Sequence, residues 1–99
     1  MLIPRFETEE LVANVLMYYD EVFNGSNVRL VDVGTGSGCL AISLAMEEPK
    51  FETYATDIST EALEVAKENA QNIGAKVTFL QGDMLEPLQE MKFDILVSN

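Results

Sequence analysis

Apolar and polar residues follow two different periods along this chain, and the alternation between them predicts its elements. Leu11, Val12, Val15, Leu16, Tyr19 and Phe23 recur at three- and four-residue steps, which predicts one apolar stripe along a helix from about Thr8 to Phe23. Thr8 suits the N-cap, and Glu9 and Glu10 follow in the first turn, where negative charge meets the positive helix end. Asn24-Gly25-Ser26-Asn27 closes the helix with turn formers. Val28 to Val33 is rich in β-branched residues and predicts a strand, which Gly34-Thr35-Gly36-Ser37-Gly38 interrupts before a helical run from Leu40 to Met46. Thr53 to Thr56 predicts a second strand ending at Asp57; Ser59 then caps a helix with Ala62, Leu63, Ala66 and Ala70 on its apolar side, and Gly74 stops it. Lys76 to Gln81 and Phe93 to Ser98 predict two further strands, the second apolar over Ile95-Leu96-Val97 as for a strand covered on both faces.

Strands alternating with helices predict an α/β fold, a Rossmann-like parallel sheet with right-handed crossovers, as a single unit over residues 1–99 without repeats or linkers. The apolar fourth strand ends at Asn99 with an open sheet edge, so the sheet reads as truncated after that strand, with further strands expected beyond it and self-association through the edge as the alternative. A hydrophobic fraction of 47% supports a packed core. Six basic against seventeen acidic residues, a net charge of −11, argue against a nucleic-acid partner, because that affinity rests on cations neutralising phosphates. The single cysteine, Cys39, and the lack of histidine exclude an internal disulfide and leave no zinc or haem site. This composition agrees with a reducing cytoplasm. Neither a signal peptide nor the roughly 20-residue apolar run of a membrane span is present, so no membrane role is expected.

The main candidate for chemistry is Asp32-Val33-Gly34-Thr35-Gly36-Ser37-Gly38 between a strand and a helix, where glycines allow a sharp turn and close approach of a ligand to the backbone. A dinucleotide fingerprint requires glycine where this chain has Cys39, and a phosphate-binding loop requires a Gly-Lys-Ser/Thr ending that is absent. An NAD-dependent oxidoreductase is therefore disfavoured, and Cys39 reads as a small buried residue at a helix start. Asp57, 21 residues after Gly36 and at the end of the next strand, is placed to accept hydrogen bonds from ribose hydroxyls. Gly82-Asp83-Met84 follows the third strand, where Asp83 would face an adenine amine and Met84 would pack on its ring.

The glycine spacing resembles the first motif of class I methyltransferases, and Ser98-Asn99 after an apolar strand resembles the opening of the Asn-Pro-Pro-Tyr motif of those that modify planar nitrogens. Ile3-Pro4-Arg5-Phe6-Glu7-Thr8-Glu9-Glu10-Leu11-Val12 resembles the corresponding stretch of HemK-type protein-(glutamine-N(5)) methyltransferases, with Phe6 replacing a proline, and the likeness continues through nearly the whole chain. The resemblance implies the class I methyltransferase fold, S-adenosylmethionine as cofactor and S-adenosylhomocysteine as product, and a glutamine of a peptide chain release factor as target. It implies cofactor contacts at Gly34, Thr35, Gly36, Ser37, Gly38, Asp57, Ile58, Asp83, Met84 and Asn99, with Asn99 also opening the catalytic site and Arg5 and Glu7 shaping the pocket. The Pro-Pro-Tyr after Asn99, the later strands and the helical substrate-recognition domain of the family are absent, so these 99 residues are expected to be catalytically weak or inactive. Two alternatives remain: an amino-methyltransferase acting on nucleic-acid bases, and a non-catalytic cofactor-binding or oligomerising fragment.

Overall fold

The computed structural model describes residues 8–82 and 92–98. In chain order the elements are α1 (Thr8–Val22), β1 (Val28–Val33), α2 (Cys39–Glu47), β2 (Phe51–Asp57), α3 (Thr60–Ile73), β3 (Thr78–Gln81) and β4 (Ile95–Ser98). The strands form one parallel sheet in the order β3-β2-β1-β4. The chain therefore steps outward from β1 to β3 and then crosses back to the other side of β1. That reversal creates a crevice at the carboxyl ends of the central strands, the usual ligand position in open α/β sheets.

Alternation along β1 sorts its side chains between two faces. Val28 and Leu30 join Leu11, Val15 and Tyr19 of α1, Leu40 and Leu44 of α2, and Phe51, Ile95 and Val97 of the neighbouring strands in the main apolar cluster. Burial of each leucine or valine there contributes about 1.5–3 kcal/mol. Tyr19 meets the Phe51 ring edge-on at 4.8 Å and donates its hydroxyl to the Ser26 carbonyl at 2.6 Å, which fixes the turn into β1. Val31 and Val33 face the other way, under half-buried Tyr54, Leu80, Phe93 and Leu96. Helix α3 packs beside α2 and against β2 and β3 through Leu63, Ala66 and Ala70.

The Ser59 hydroxyl caps α3 by accepting from the Ala62 amide at 3.1 Å, and Gly74 ends the helix in the left-handed conformation at φ +78°. Several boundaries differ from the sequence expectation because pairing, not propensity, sets strand ends. Strand β2 begins at Phe51, since Phe51 and Glu52 pair with Val28 and Arg29, whereas β3 starts only at Thr78, the first residue with a partner in β2. In β4, Ile95 and Val97 are buried and Leu96 is half-buried. Cys39 is exposed, not buried. It opens α2 on the face shared with half-buried Ser43 and exposed Met46, while Leu40, Ala41 and Leu44 take the core side. Among the described residues, no helix is long and apolar enough to cross a membrane.

Candidate functional site

The loop between β1 and α2 lies at the crevice, and its glycines divide by purpose. Gly34 and Gly36 adopt φ of +73° and +58°, and a Cβ on either would meet no atom of the described residues within 4 Å. They give the loop its shape and leave open space in front of the backbone. Gly38 also has positive φ, but a Cβ there would stand 2.9 Å from the Ala66 Cβ and 3.3 Å from Ile42 Cδ1. Its role is close packing of α2 on α3, which brings the start of α2 against the loop. No side chain caps that helix end.

The loop is tied to the strands on several sides. The amides of Gly34 and Thr35 both donate to the Thr56 carbonyl, at 2.9 and 2.8 Å. Asp57 accepts from the Gly36 amide through Oδ2 and from the Ser59 amide through Oδ1, each at 2.9 Å. The Asn69 amide group of α3 donates to the Ser37 carbonyl at 3.0 Å. On the far side of Asp57, Gln81 donates to the Ile58 carbonyl and the Gly82 amide to the Asp57 carbonyl, both at 3.0 Å. Ile58 stands 64% exposed beside these polar groups.

Beneath the loop, Asp32 is only 2% exposed and accepts the Thr35 hydroxyl through Oδ2 at 2.8 Å. Burial pushes its carboxyl up to about 6; the Thr35 hydroxyl opposes that shift, and the charge of Asp57 adds to it. Strongly shifted groups of this kind cluster at functional sites.

Two carboxylates at a glycine loop make a poor seat for a pyrophosphate and a good one for a ligand that carries hydroxyls and positive charge. Exposed Ile58 adds an apolar surface for a flat ring. A cavity of about 600 Å³, lined by Asn27, Arg29, Lys50, Glu52, Lys92 and Asp94 among others, opens instead at the amino ends of β1 and β2. Two of its three cations are already engaged, Arg29 with Glu52 at 3.0 Å and Lys50 with the Gly25 carbonyl at 2.8 Å. We therefore locate the candidate site at the glycine loop.

The structure brings Gly34, Thr35, Gly36, Ser37, Gly38, Asp57 and Ile58 together at the carboxyl ends of β1 and β2. Asp83, Met84 and Asn99, with Arg5 and Glu7, lie outside the described residues. Asn69 and Gln81 are not among the expected site residues, and Asp32 enters the sequence reading only as the first residue of the glycine motif, without a role of its own. Asp32 did carry a signal, as the lone carboxylate deep in a β-branched strand; for Asn69 and Gln81 nothing distinguishes the residue from an ordinary surface amide.

Residues 11–99 match the model of the methyltransferase small domain family. The release factor glutamine methyltransferase of Bacillus subtilis is 52% identical over 102 residues, which cover all of this chain and 35% of that protein. The corresponding enzyme of Bacillus anthracis is 48% identical over 101 residues, covering all of this chain and 36% of that protein. The chain thus spans about a third of the length of the curated relatives it matches. Among solved structures, an S-adenosylmethionine-dependent methyltransferase from Clostridium acetobutylicum superposes with a TM-score of 0.79 at 24% identity, covering 94% of this chain and 37% of that one. That likeness concerns the fold, and the strand order agrees with it. With the family model spanning nearly the whole sequence, the chain belongs to the methyltransferase small domain family.

Proposed function

We propose that this chain is the cofactor-binding portion of an S-adenosylmethionine-dependent methyltransferase that acts on the side-chain amide of a glutamine in a peptide chain release factor. The observation that carries the cofactor reading is the space that the described residues leave open in front of Gly34 and Gly36, directly beside the Asp57 carboxylate. S-adenosylmethionine brings ribose hydroxyls, a cationic amine, a sulfonium and an adenine ring, and the described residues fit the ribose and the ring. Asp57 offers acceptors to the ribose, Ile58 an apolar surface to the ring, and the loop backbone of Gly34 to Gly38 a surface that the ligand can approach closely. When bound, the cofactor supplies an electrophilic methyl group. The chain's own part is to hold and orient that group for in-line attack, a gain of positioning. Asp83 and Met84, after β3, and Asn99, after β4, are proposed to complete the adenine and target sides.

The release-factor reading is supported by the names and identities of the two Bacillus relatives. The charge of −11 agrees with a protein substrate and disfavours the nucleic-acid alternative. We also propose a cytoplasmic setting, where the exposed thiol of Cys39 stays reduced.

Calorimetric titration with S-adenosylhomocysteine, with NAD as control, tests the cofactor reading: saturable binding of the former alone is expected, and equal binding of both would overturn it. The substrate reading is tested by a chimera in which this chain replaces the matched segment of the B. subtilis relative. Methyl transfer to a release factor, lost when its target glutamine is replaced, is the expected result. Self-association is a second reading, favoured by the apolar β4 at one end of the described sheet. Light scattering decides it, a dimer supporting the reading and a monomer ending it.

A further inference from the structure

We propose that Asp32 and Thr35 form a positioning pair that fixes the shape of the glycine loop before any ligand arrives; the inference rests on the reading of that loop as the S-adenosylmethionine site. Asp32 occupies the face of β1 that otherwise carries Val28 and Leu30, and a carboxylate buried there is costly unless a partner compensates it. The Thr35 hydroxyl is that partner, at 2.8 Å.

Thr35 in turn has every polar group engaged. Its hydroxyl donates to Asp32, its amide donates to the Thr56 carbonyl at 2.8 Å, and its carbonyl accepts from the Gly38 amide at 3.0 Å. The peptide units on both sides of Thr35 are thereby oriented, and these lead to Gly34 and Gly36, whose Cβ sides the described residues leave open. Because its hydroxyl points into the protein, Thr35 serves the site through its backbone. A loop shaped in advance spares the ligand the cost of ordering it.

A merely space-filling pair would be indifferent to charge, whereas this one depends on an ionised carboxylate, which makes the stronger hydrogen bond. Among the described residues, the titratable group that acts on Asp32 is Asp57 at the end of β2; its register neighbours Ala55 and Val97, and the buried Leu40, Ala41, Ile42 and Leu44 of α2, carry no charge. Loop order, and with it affinity, should therefore fall as pH drops through about 6.

The test follows the Asp32 carboxyl carbon by NMR and S-adenosylhomocysteine binding by calorimetry, both across pH, in the chain and in Thr35→Val, Thr35→Ser and Asp32→Asn. Thr35→Val is expected to move the Asp32 titration upward, because it loses the bond that holds the value down, and to weaken binding about tenfold. Thr35→Ser restores both, and Asp32→Asn removes the pH step in binding. An Asp32 titration unmoved in Thr35→Val, or binding in Asp32→Asn that keeps the same pH step, overturns the pair. If the unmodified chain binds no S-adenosylhomocysteine, the cofactor reading fails, while the Asp32 titration still decides the pair.

Discussion

At the scale of single residues, the two carboxylates of the site differ in burial, and their variants should differ accordingly. Asp57 is half-buried and bridges the Gly36 and Ser59 amides, so Asp57→Ala removes a ligand acceptor and releases the loop together. S-adenosylhomocysteine affinity is expected to fall by at least about tenfold, with Asp57→Asn in between because it keeps one acceptor oxygen. Calorimetry checks both, and an alanine variant that binds like the parent would remove Asp57 from the site. Asp32 instead should announce itself in stability. Its folded-state value, about 6, lies above the ordinary 3.8, so the folded chain holds this proton more tightly than the unfolded one. The resulting stabilisation is fully present below about 3.8 and is lost as pH rises through about 6. The full span amounts to about 3 kcal/mol by linkage. The other acidic residues titrate in the parent and in Asp32→Asn alike, so the difference between the two isolates this group. Denaturant titrations across pH should show the parent gaining on Asp32→Asn as pH falls, and a constant difference would contradict the burial of a titrating carboxyl.

At the scale of elements, helix α3 was the most legible part of the chain, because its signals are local. Ser59, Gly74 and the spacing of Leu63, Ala66 and Ala70 each act within a few residues of themselves. Strand ends are less legible: whether Phe51 or Lys76 belongs to a strand depends on partners far along the chain, Val28 for the former and, among the described residues, none for the latter. Cys39 was misplaced for a related reason, since one residue of offset at a helix start turns a side chain from the core to solvent. The glycine motif was legible as a loop but not in its division of labour, because the sequence does not show that Gly38 alone lies against Ala66. That contact makes a prediction at this scale. Gly38→Ala combines a left-handed φ of +82° with a Cβ only 2.9 Å from that of Ala66, on a backbone held between two helices. A loss of about 1–3 kcal/mol of stability is expected in thermal or denaturant unfolding. Ala66→Gly in the same chain should recover part of that difference, since it removes the clash but not the backbone strain. No recovery at all would mean that the strain of φ, not the approach of α3, makes glycine necessary.

At the scale of the whole molecule, the order of strands decides where chemistry gathers, and it was legible only as a class. Alternating elements implied a parallel sheet, while the order β3-β2-β1-β4 emerges from which apolar faces find helices to cover them. That order puts the loop after β1 next to the end of β2, so residues 21 positions apart, Gly36 and Asp57, become hydrogen-bonded neighbours. The net charge was plain from composition, but its bearing on the ligand becomes clear only once Asp32 and Asp57 are seen at the loop. A charge of −11 sets up a negative potential around the whole chain, and the two carboxylates focus it on the site. S-adenosylmethionine carries one more positive charge than S-adenosylhomocysteine, through its sulfonium, while the remaining groups of the two are alike. The ratio of their affinities therefore isolates the electrostatic part of binding from hydrogen bonding and ring packing. The screening length shrinks from about 30 Å in 0.01 M salt to about 8 Å in 0.15 M, shorter than the span of the molecule but longer than the contacts within the site. Added salt should thus remove the contribution of distant acids and leave that of Asp32 and Asp57. Paired titrations at low and physiological salt are expected to show S-adenosylmethionine losing affinity severalfold relative to S-adenosylhomocysteine, while keeping a residual preference that Asp57→Asn reduces. A ratio indifferent to both salt and that substitution would mean that the cation is held by contacts alone and that the acidic surface plays no part in drawing it in.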